Sequence, residues 1–142
     1  MANAGDTHAR ANAQVALGLA ALRQEDRSEA RQALEAAIDL ELQNAFALSS
    51  FGSLLVIAGA LAAGIERFHQ ALTVAPDDLV TTINLAQALL ELDPGEHRNE
   101  ADRLLLRVIE AQPYSELANK AKDLRGSIAS RDLRTSALTA SL

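Results

Sequence analysis

Residues 45–78 read AFALSSFGSLLVIAGALAAGIERFHQALTVAPDD, and this stretch decides the fold because its pattern returns on both sides of it. A large apolar residue followed by a small one occurs three times at a spacing of 34 residues: Leu17-Gly18, Phe51-Gly52 and Leu85-Ala86. A constant spacing of this length is typical of similar helical units stacked in series. The sequence therefore predicts a repeat protein.

Each predicted unit consists of two helices joined by a tight turn. The units are assigned to residues 11–44, 45–78 and 79–115. In the second unit we expect Gly59 to end the first helix and Pro76 to end the second. The third unit is three residues longer than the others, and its surplus is expected in the turn at 93–96, where Pro and Gly interrupt the helix.

The segments outside the three units have different predicted roles. Residues 1–10 form an N-terminal lead-in, and residues 116–131 form a capping helix whose N-cap is Ser115. The polar outer side of this helix would close the open end of the stack. Residues 132–142 are rich in Ser, Thr and Ala, which predicts a flexible C-terminal tail. Ser28 is the expected N-cap of the second helix in the first unit.

Composition narrows the classes of function. The hydrophobic share of 49% is enough to bury a core, and the chain carries a formal net charge of −6. Its basic residues are scattered, whereas a nucleic-acid partner needs a clustered basic face, so no such partner is expected. The absence of cysteine excludes disulfides and thiolate metal sites. The polar N-terminus does not resemble a signal peptide, and a cytoplasmic location is the expectation.

Small residues recur at fixed places within the units. They are Gly18, Ala30 and Ala37 in the first unit and Gly52, Gly64 and Ala71 in the second. The second unit also contains Phe68 and Pro76. This pattern resembles the tetratricopeptide repeat family over residues 11–131. The resemblance implies an all-α fold, a right-handed α-solenoid of three antiparallel helix pairs with a seventh capping helix. The sequence departs from the family at Gln14, Leu48 and Thr82, where an aromatic residue is often found, and at Leu42, where a proline is expected.

In this family the first helix of each unit lines a concave groove. The resemblance implies that the peptide-binding groove contains Asn12, Val15, Leu19, Leu22, Phe46, Ser49, Ser50, Ser53, Val56, Ile57, Val80, Ile83, Asn84, Gln87 and Leu90, with Ala16, Arg23 and Glu91 completing the stripe. Family members that capture a C-terminal carboxylate use Lys and Arg inside the groove, and only Arg23 has that charge here. Clamping of an acidic chaperone tail is therefore not expected.

The groove chemistry predicts a protein or peptide partner that is helical or extended and apolar. Asn84 and Gln87 are able to bond the backbone of such a peptide. The predicted function is a noncatalytic interaction module, acting as an adaptor, assembly factor or chaperone-like protein. As an alternative, residues 134–142 or a second copy of the chain cover the groove, because large apolar patches are rarely left open on monomers.

The sequence offers little support for catalysis or for a cofactor. His8, His69 and His97 are far apart along the chain and form no metal-binding spacing. The glycines are isolated, so no phosphate-binding loop is predicted, and Asp77-Asp78 are explained by capping of the following helix. We therefore expect no catalytic residues, no metal and no cofactor.

A second interpretation concerns the segment from Ala45 to Ile65, which contains no charged residue. Its 21 residues are long enough to span a bilayer, although Gly59 and Gly64 at the repeat turn and repeat contact favour a central repeat. The alternative function is that of a structural subunit in a larger complex, in which this charge-free repeat forms the permanent contact. Association with a membrane would then occur only through a partner. A third candidate, a small chaperone of bacterial type III secretion, is disfavoured by the low aromatic content.

Overall fold

The computed structural model describes residues 3–140, and side chains are described for residue 3 and residues 5–130. Every regular element within this range is an α-helix, which agrees with the predicted all-α class. The helices are α1 (Ala4–Arg23), α2 (Arg27–Leu40), α3 (Ala45–Ile57), α4 (Leu61–Val74), α5 (Leu79–Leu92), α6 (Arg98–Ala111) and α7 (Glu116–Ala140). The chain divides into two compact units, Met1–Thr81 and Thr82–Leu142. Each unit is described by itself.

In the first unit the helices pack as two antiparallel pairs. α1 lies against α2 and α3 lies against α4, and α3 also contacts both helices of the first pair. The core between them contains Val15, Leu34 and Phe51, all nearly inaccessible to solvent. The guanidinium groups of Arg31 and Arg67 lie 5.7 and 5.2 Å from the centre of the Phe51 ring. This cation–π geometry lets charged side chains cover the edge of the core.

Within each pair, the two helices approach closely where the sequence places glycine. A Cβ atom on Gly64 would lie 2.8 Å from the carbonyl oxygen of Gly52, and one on Gly52 would lie 2.7 Å from the Phe68 ring. A Cβ on Gly18 would lie 2.8 Å from Cγ of Leu34. These separations are shorter than carbon contacts in packed cores, so the predicted assignment of these glycines to helix contacts is confirmed.

The turns inside the two pairs share one hydrogen-bonding pattern. In the second pair, Gly59 has a φ of +86°, and Ala60 donates its backbone N–H to the carbonyl of Leu55 at 2.8 Å. In the first pair, Glu25 takes the equivalent place with a φ of 60°. Gly59 therefore ends α3 as predicted, because glycine tolerates the left-handed conformation that this turn requires.

The N-cap of α2 differs from the prediction. Asp26 precedes the helix, and its side chain accepts a hydrogen bond from the backbone N–H of Glu29 at 3.0 Å. Ser28 lies inside the first turn. Aspartate and serine are both favourable N-cap residues, so their capping propensities do not determine where the helix begins. α2 begins after Asp26 because the preceding turn ends there.

Three loops that connect successive helix pairs repeat the same turn. In each of them the backbone N–H of the N-cap residue donates to the carbonyl three residues earlier, at 3.1 to 3.2 Å. The N-caps are Asn44, Asp78 and Ser115, whose side chains accept from Ala47, Thr81 and Ala118 at 3.0, 3.2 and 3.0 Å. The capping role predicted for Ser115 is confirmed. Of the pair Asp77-Asp78, predicted as an N-cap and a first-turn acid, Asp78 caps α5 and Asp77 lies in the preceding turn. Pro76 follows the last helical turn of α4, also as predicted.

The second unit contains most of α5 together with α6 and α7, and α6 packs against α7. The turn between α5 and α6 occupies residues 93–97, where the sequence predicts the insertion. Asp93 organises this turn, because its carboxylate accepts from the backbone N–H groups of Gly95 and Glu96 at 2.9 and 3.2 Å. His97 precedes α6 without a side-chain capping bond.

Both ends of the chain are more helical than the predicted segments. α1 begins at Ala4, inside the predicted lead-in at 1–10, with Asn3 as its N-cap. α7 runs to Ala140, into the tail predicted at 132–142. Residues 1–2 and 141–142 lie outside the described residues, and the flexibility of the tail stays a prediction.

The charge-free segment does not form one long helix. The turn at Ala58-Gly59-Ala60 divides it into α3 and α4. α3 has 13 residues and is about 20 Å long, shorter than the roughly 30 Å of a bilayer core. Among the described helices, none combines the length and the apolar character that a membrane span needs.

Candidate functional site

The predicted groove residues divide into a central row and one flank on each first helix. Residues spaced by four, three and four positions fall within about 60° of one another around a helix. This central row consists of Asn12, Ala16, Leu19 and Arg23 on α1, Phe46, Ser50, Ser53 and Ile57 on α3, and Val80, Asn84, Gln87 and Glu91 on α5. The flanks contain Val15, Leu22, Ser49, Val56, Ile83 and Leu90. Burial distinguishes the row from the flanks.

The central row contains the exposed apolar side chains. Phe46, Ile57 and Val80 are 55%, 56% and 53% exposed, and Ala16 is exposed as well. The polar members of the row are half-buried or exposed, with the exception of Ser50. Phe46 and Ile57 stand at the two ends of the row on α3, and Ser53 lies between them.

Four predicted groove residues are buried and do not present a surface to a partner. They are Val15, Ser50, Ile83 and Leu90. Val15 shows the reason, because it packs in the core of the first unit with Leu34 and Phe51. The helical periodicity that identified the stripe cannot tell an outward-facing flank from one that faces a neighbouring helix. Burial gives no support for contact with a partner at these four positions, and the groove itself stays a prediction.

The remaining flank residues are half-buried. Leu22 packs against the core cluster of the first unit, as Leu19 of the central row also does, so its apolar surface is shared between the core and the outside. Ser49 donates its hydroxyl to the carbonyl of Phe46 at 3.2 Å. Val56 touches the backbone position of Gly64, where an added Cβ would lie 2.7 Å from Cγ2 of Val56. These residues border the central row without extending it.

The Asn12 side chain belongs to a chain of hydrogen bonds. The backbone N–H of Ala47 donates to Oδ1 of Asn44 at 3.0 Å, so Nδ2 of Asn44 faces Asn12 and donates to its Oδ1 at 3.0 Å. Nδ2 of Asn12 then donates to Nε2 of His8 at 3.0 Å. Nδ1 of His8 therefore carries the hydrogen and donates to Glu41 at 2.8 Å. Asn12 acts in structural support, a role that the sequence did not predict.

The architecture built from these pairs occurs in solved structures. The first TPR of Spaghetti (RPAP3), bound to the HSP90 peptide SRMEEVD, is 17% identical, with a TM-score of 0.73 over 84% of this chain and 96% of that chain. The Arabidopsis OM64 TPR domain is 15% identical, with a TM-score of 0.72 over 82% and 94%. The N-terminal domain of stress-induced protein-1 (STI-1) from C. elegans is 20% identical, with a TM-score of 0.69 over 87% and 99%. The chain has the tetratricopeptide-repeat fold.

The likeness lies in three-dimensional structure and much less in sequence. No protein-family model matches the chain, and no curated protein sequence matches it. The tetratricopeptide-repeat fold predicted from the 34-residue spacing, an α-solenoid of helix pairs, is confirmed by these structural neighbours. In that fold the central row lies on the first helix of each pair, α1, α3 and α5.

In the second unit, α7 lies beside the central row of α5. A cavity of about 190 Å³ is lined by Gln87, Leu90 and Glu91 from α5 and by Leu124, Ser127 and Ile128 from α7. The predicted capping helix therefore borders half of the predicted stripe on α5.

Within the part of the chain that the structure describes, no cluster of His, Asp and Glu has the geometry of a metal site. His8 is hydrogen-bonded to Glu41, His69 is exposed, and His97 is half-buried at the start of α6.

Proposed function

We propose that this chain is a noncatalytic peptide-binding module whose central row on α1 and α3 receives an apolar, helical or extended segment of a partner protein. The observation that carries the proposal is the exposure of Phe46 and Ile57. A phenylalanine and an isoleucine, each more than half exposed, lie on one face of α3, whereas Phe51 and Phe68 are almost completely buried.

The spacing of these residues suits a helical partner. Phe46 and Ile57 are separated by three helical turns, or about 16 Å along α3. A partner helix with apolar residues at i, i+4, i+7 and i+11 presents a row of the same length. α1 contacts α3 and supplies Ala16 and Leu19 beside that row. The small side chains of Ser53 and Ala16 leave room for large side chains of the partner.

The charges on the row indicate the class of peptide. The peptide bound by the RPAP3 domain, SRMEEVD, carries two glutamates and an aspartate. On the described central rows of α1 and α3, Arg23 is the single Lys or Arg. One cation at the end of α1 gives little compensation for three carboxylates, and the apolar residues favour a partner that buries hydrophobic surface.

A display selection tests this proposal. Helical and extended peptides are selected on the wild-type chain, and the enriched sequences are expected to carry apolar residues at i, i+3 or i+4, and i+7. The double variant Phe46→Glu/Ile57→Glu should lose their binding. Leu42→Glu is the matched control, because Leu42 is 74% exposed and lies in the loop before α3, outside the row. Enrichment of acidic peptides, or equal loss in the control, would contradict the proposal.

The alternative of a permanently docked subunit rests on the hydrophobicity of the second repeat. The structure uses most of that hydrophobicity internally, because the large apolar residues Leu48, Phe51, Leu54, Leu55, Ile65 and Phe68 are buried. Sedimentation of the purified chain separates the two functions. A reversible module is expected to sediment as a well-folded species without its partner, whereas aggregation of the isolated chain would favour the docked subunit.

A further inference from the structure

The second unit contains a cleft between α6 and α7, apart from the central rows. The cleft has a volume of about 550 Å³, and its lining includes Arg98, Asn99 and Asp102 from α6 and Lys122, Arg125 and Gly126 from α7. A volume of this size is within the range of small-molecule sites. A Cβ atom on Gly126 would meet nothing within 4 Å, so the α7 wall is open at that point.

The charge of the cleft is opposite to that of the chain. Three cationic side chains and one carboxylate line it, which leaves two net positive charges in a protein of formal net charge −6. Eight of the 13 Lys and Arg residues follow position 81, and both lysines are on α7. A local positive field in an acidic protein concentrates anions at that place.

The structure holds two of these cations in defined positions. Nε of Arg125 donates to Oδ1 of Asp102 at 2.7 Å, which orients the guanidinium plane. The ammonium group of Lys122 donates to the carbonyl of Pro113 at 3.2 Å. A guanidinium has five N–H donors and an ammonium has three, so each of these contacts uses one donor of its group. Asp102 neutralises part of one charge and limits the movement of Arg125.

We propose that the α6–α7 cleft binds a phosphate monoester. The dianionic phosphate group carries nearly two negative charges at neutral pH and matches the net charge of the lining. Arg125 and Lys122 would donate charge-assisted hydrogen bonds to its oxygens. Arg98 and Asn99, at the start of α6, would donate from the opposite wall. The remaining volume accommodates the organic part of the ester.

Titration of the full chain tests the site by amide chemical shifts, with glycerol phosphate as the probe and chloride at equal ionic strength as the reference. Saturable shifts are expected at residues 98–102 and 122–129. Lys122→Gln should weaken binding about tenfold, the effect of one charge-assisted hydrogen bond. Lys120→Gln is the matched control, because it removes the same charge from the same helix outside the cleft.

A second titration uses a phosphoserine peptide whose termini are blocked. Tighter binding of glycerol phosphate supports a free small ester, and tighter binding of the peptide supports a protein-borne one. The proposal is overturned if neither probe gives saturable shifts, or if Lys120→Gln weakens binding as much as Lys122→Gln. A second matched pair, Arg98→Gln in the cleft and Arg103→Gln outside it, is expected to show the same contrast.

Discussion

In the first helix pair a Cβ on Gly18 would meet the Leu34 side chain at 2.8 Å and the carbonyl oxygen of Ala30 at 3.3 Å, whereas in the second pair one on Gly52 would meet Phe68 at 2.7 Å and the carbonyl oxygen of Gly64 at 3.1 Å. Ala30 takes the place in the first pair that Gly64 takes in the second. The second crossing is therefore backbone against backbone, and the first crossing accommodates a methyl group. The comparison teaches that one repeat geometry tolerates two packing distances, each set by a pair of residues.

The two pairs also differ at their turns, where each contains a favourable residue that the other lacks. The first turn has a good N-cap, Asp26, and a non-glycine residue with positive φ, Glu25. The second has Gly59 at positive φ, and Ala60 provides no side-chain capping bond. Exchanging these residues between the turns measures each contribution separately.

The largest expected effect comes from adding a methyl group at the second crossing. Gly64→Ala brings a Cβ within 2.8 Å of the Gly52 carbonyl oxygen, and overpacking of this kind costs about 1–3 kcal/mol of unfolding free energy. Urea denaturation measures the change. Gly126→Ala, an exposed helical glycine with open space around it, should instead gain up to about 1 kcal/mol. Equal effects at the two sites would refute the close crossing.

The next largest effect on stability is expected at the residue with positive φ in each turn, Glu25 in the first and Gly59 in the second. Glu25→Gly should raise the unfolding free energy by about 1 kcal/mol, because glycine adopts the positive φ of this position without the steric strain that glutamate has there. Gly59→Glu should lower it by a similar amount. Both variants are compared by thermal unfolding on the wild-type background. Changes of the same sign would show that the two turns are not equivalent.

Substitutions at the N-cap residues are expected to change the unfolding free energy by a similar or smaller amount. Ala60→Asp adds the cap that α4 lacks and should stabilise the protein by about 1 kcal/mol, and Asp26→Ala should destabilise it by about the same amount. Ala60→Leu serves as a control without a capping oxygen. A gain with leucine equal to that with aspartate would assign the effect to something other than capping.

The smallest effect is expected in the loop before α3. Leu42 lies where the two later loops have Pro76 and Pro113, and the residue before it has a φ of −147°, compared with −129° and −143° in those loops. Because the conformation is shared, Leu42→Pro should add about 0.4–1 kcal/mol by restricting the unfolded chain. Differential scanning calorimetry can detect this, and a lowered transition temperature would disprove the equivalence of the loops.

The part of the fold that the sequence predicts is the part encoded by local patterns. The 34-residue spacing, Gly59 as a helix stop and the caps at Asp78 and Ser115 depend on neighbouring residues in the chain, and the structure has them. Glu25 escaped prediction because glutamate gives no signal for a positive φ. Its conformation is set by the turn that the helix pair imposes, which a local pattern does not contain.

The sequence predicted which face of each helix forms the candidate surface, but not which residues on that face are exposed. Leu17 and Phe51 hold equivalent positions, yet Leu17 is exposed and Phe51 is buried, since Phe51 belongs to the core cluster that includes Leu34 of the preceding pair. Val15 and Ile83 likewise shared the period of the groove but are buried. Exposure depends on which helices are neighbours, and the α6–α7 cleft depends on residues that are distant along the chain. Neither property can be derived from spacing alone.

The shared capping turns at Asn44, Asp78 and Ser115 also bear on how a chain of this kind evolves. A tandem copy of residues 45–78 inserted after Asp78 would start behind one N-cap and finish with another. The duplicated DNA would thus encode a segment that contains its own helix ends and its own loop. Unequal recombination at this boundary would lengthen the array in a single event, without a compensating substitution at the junction.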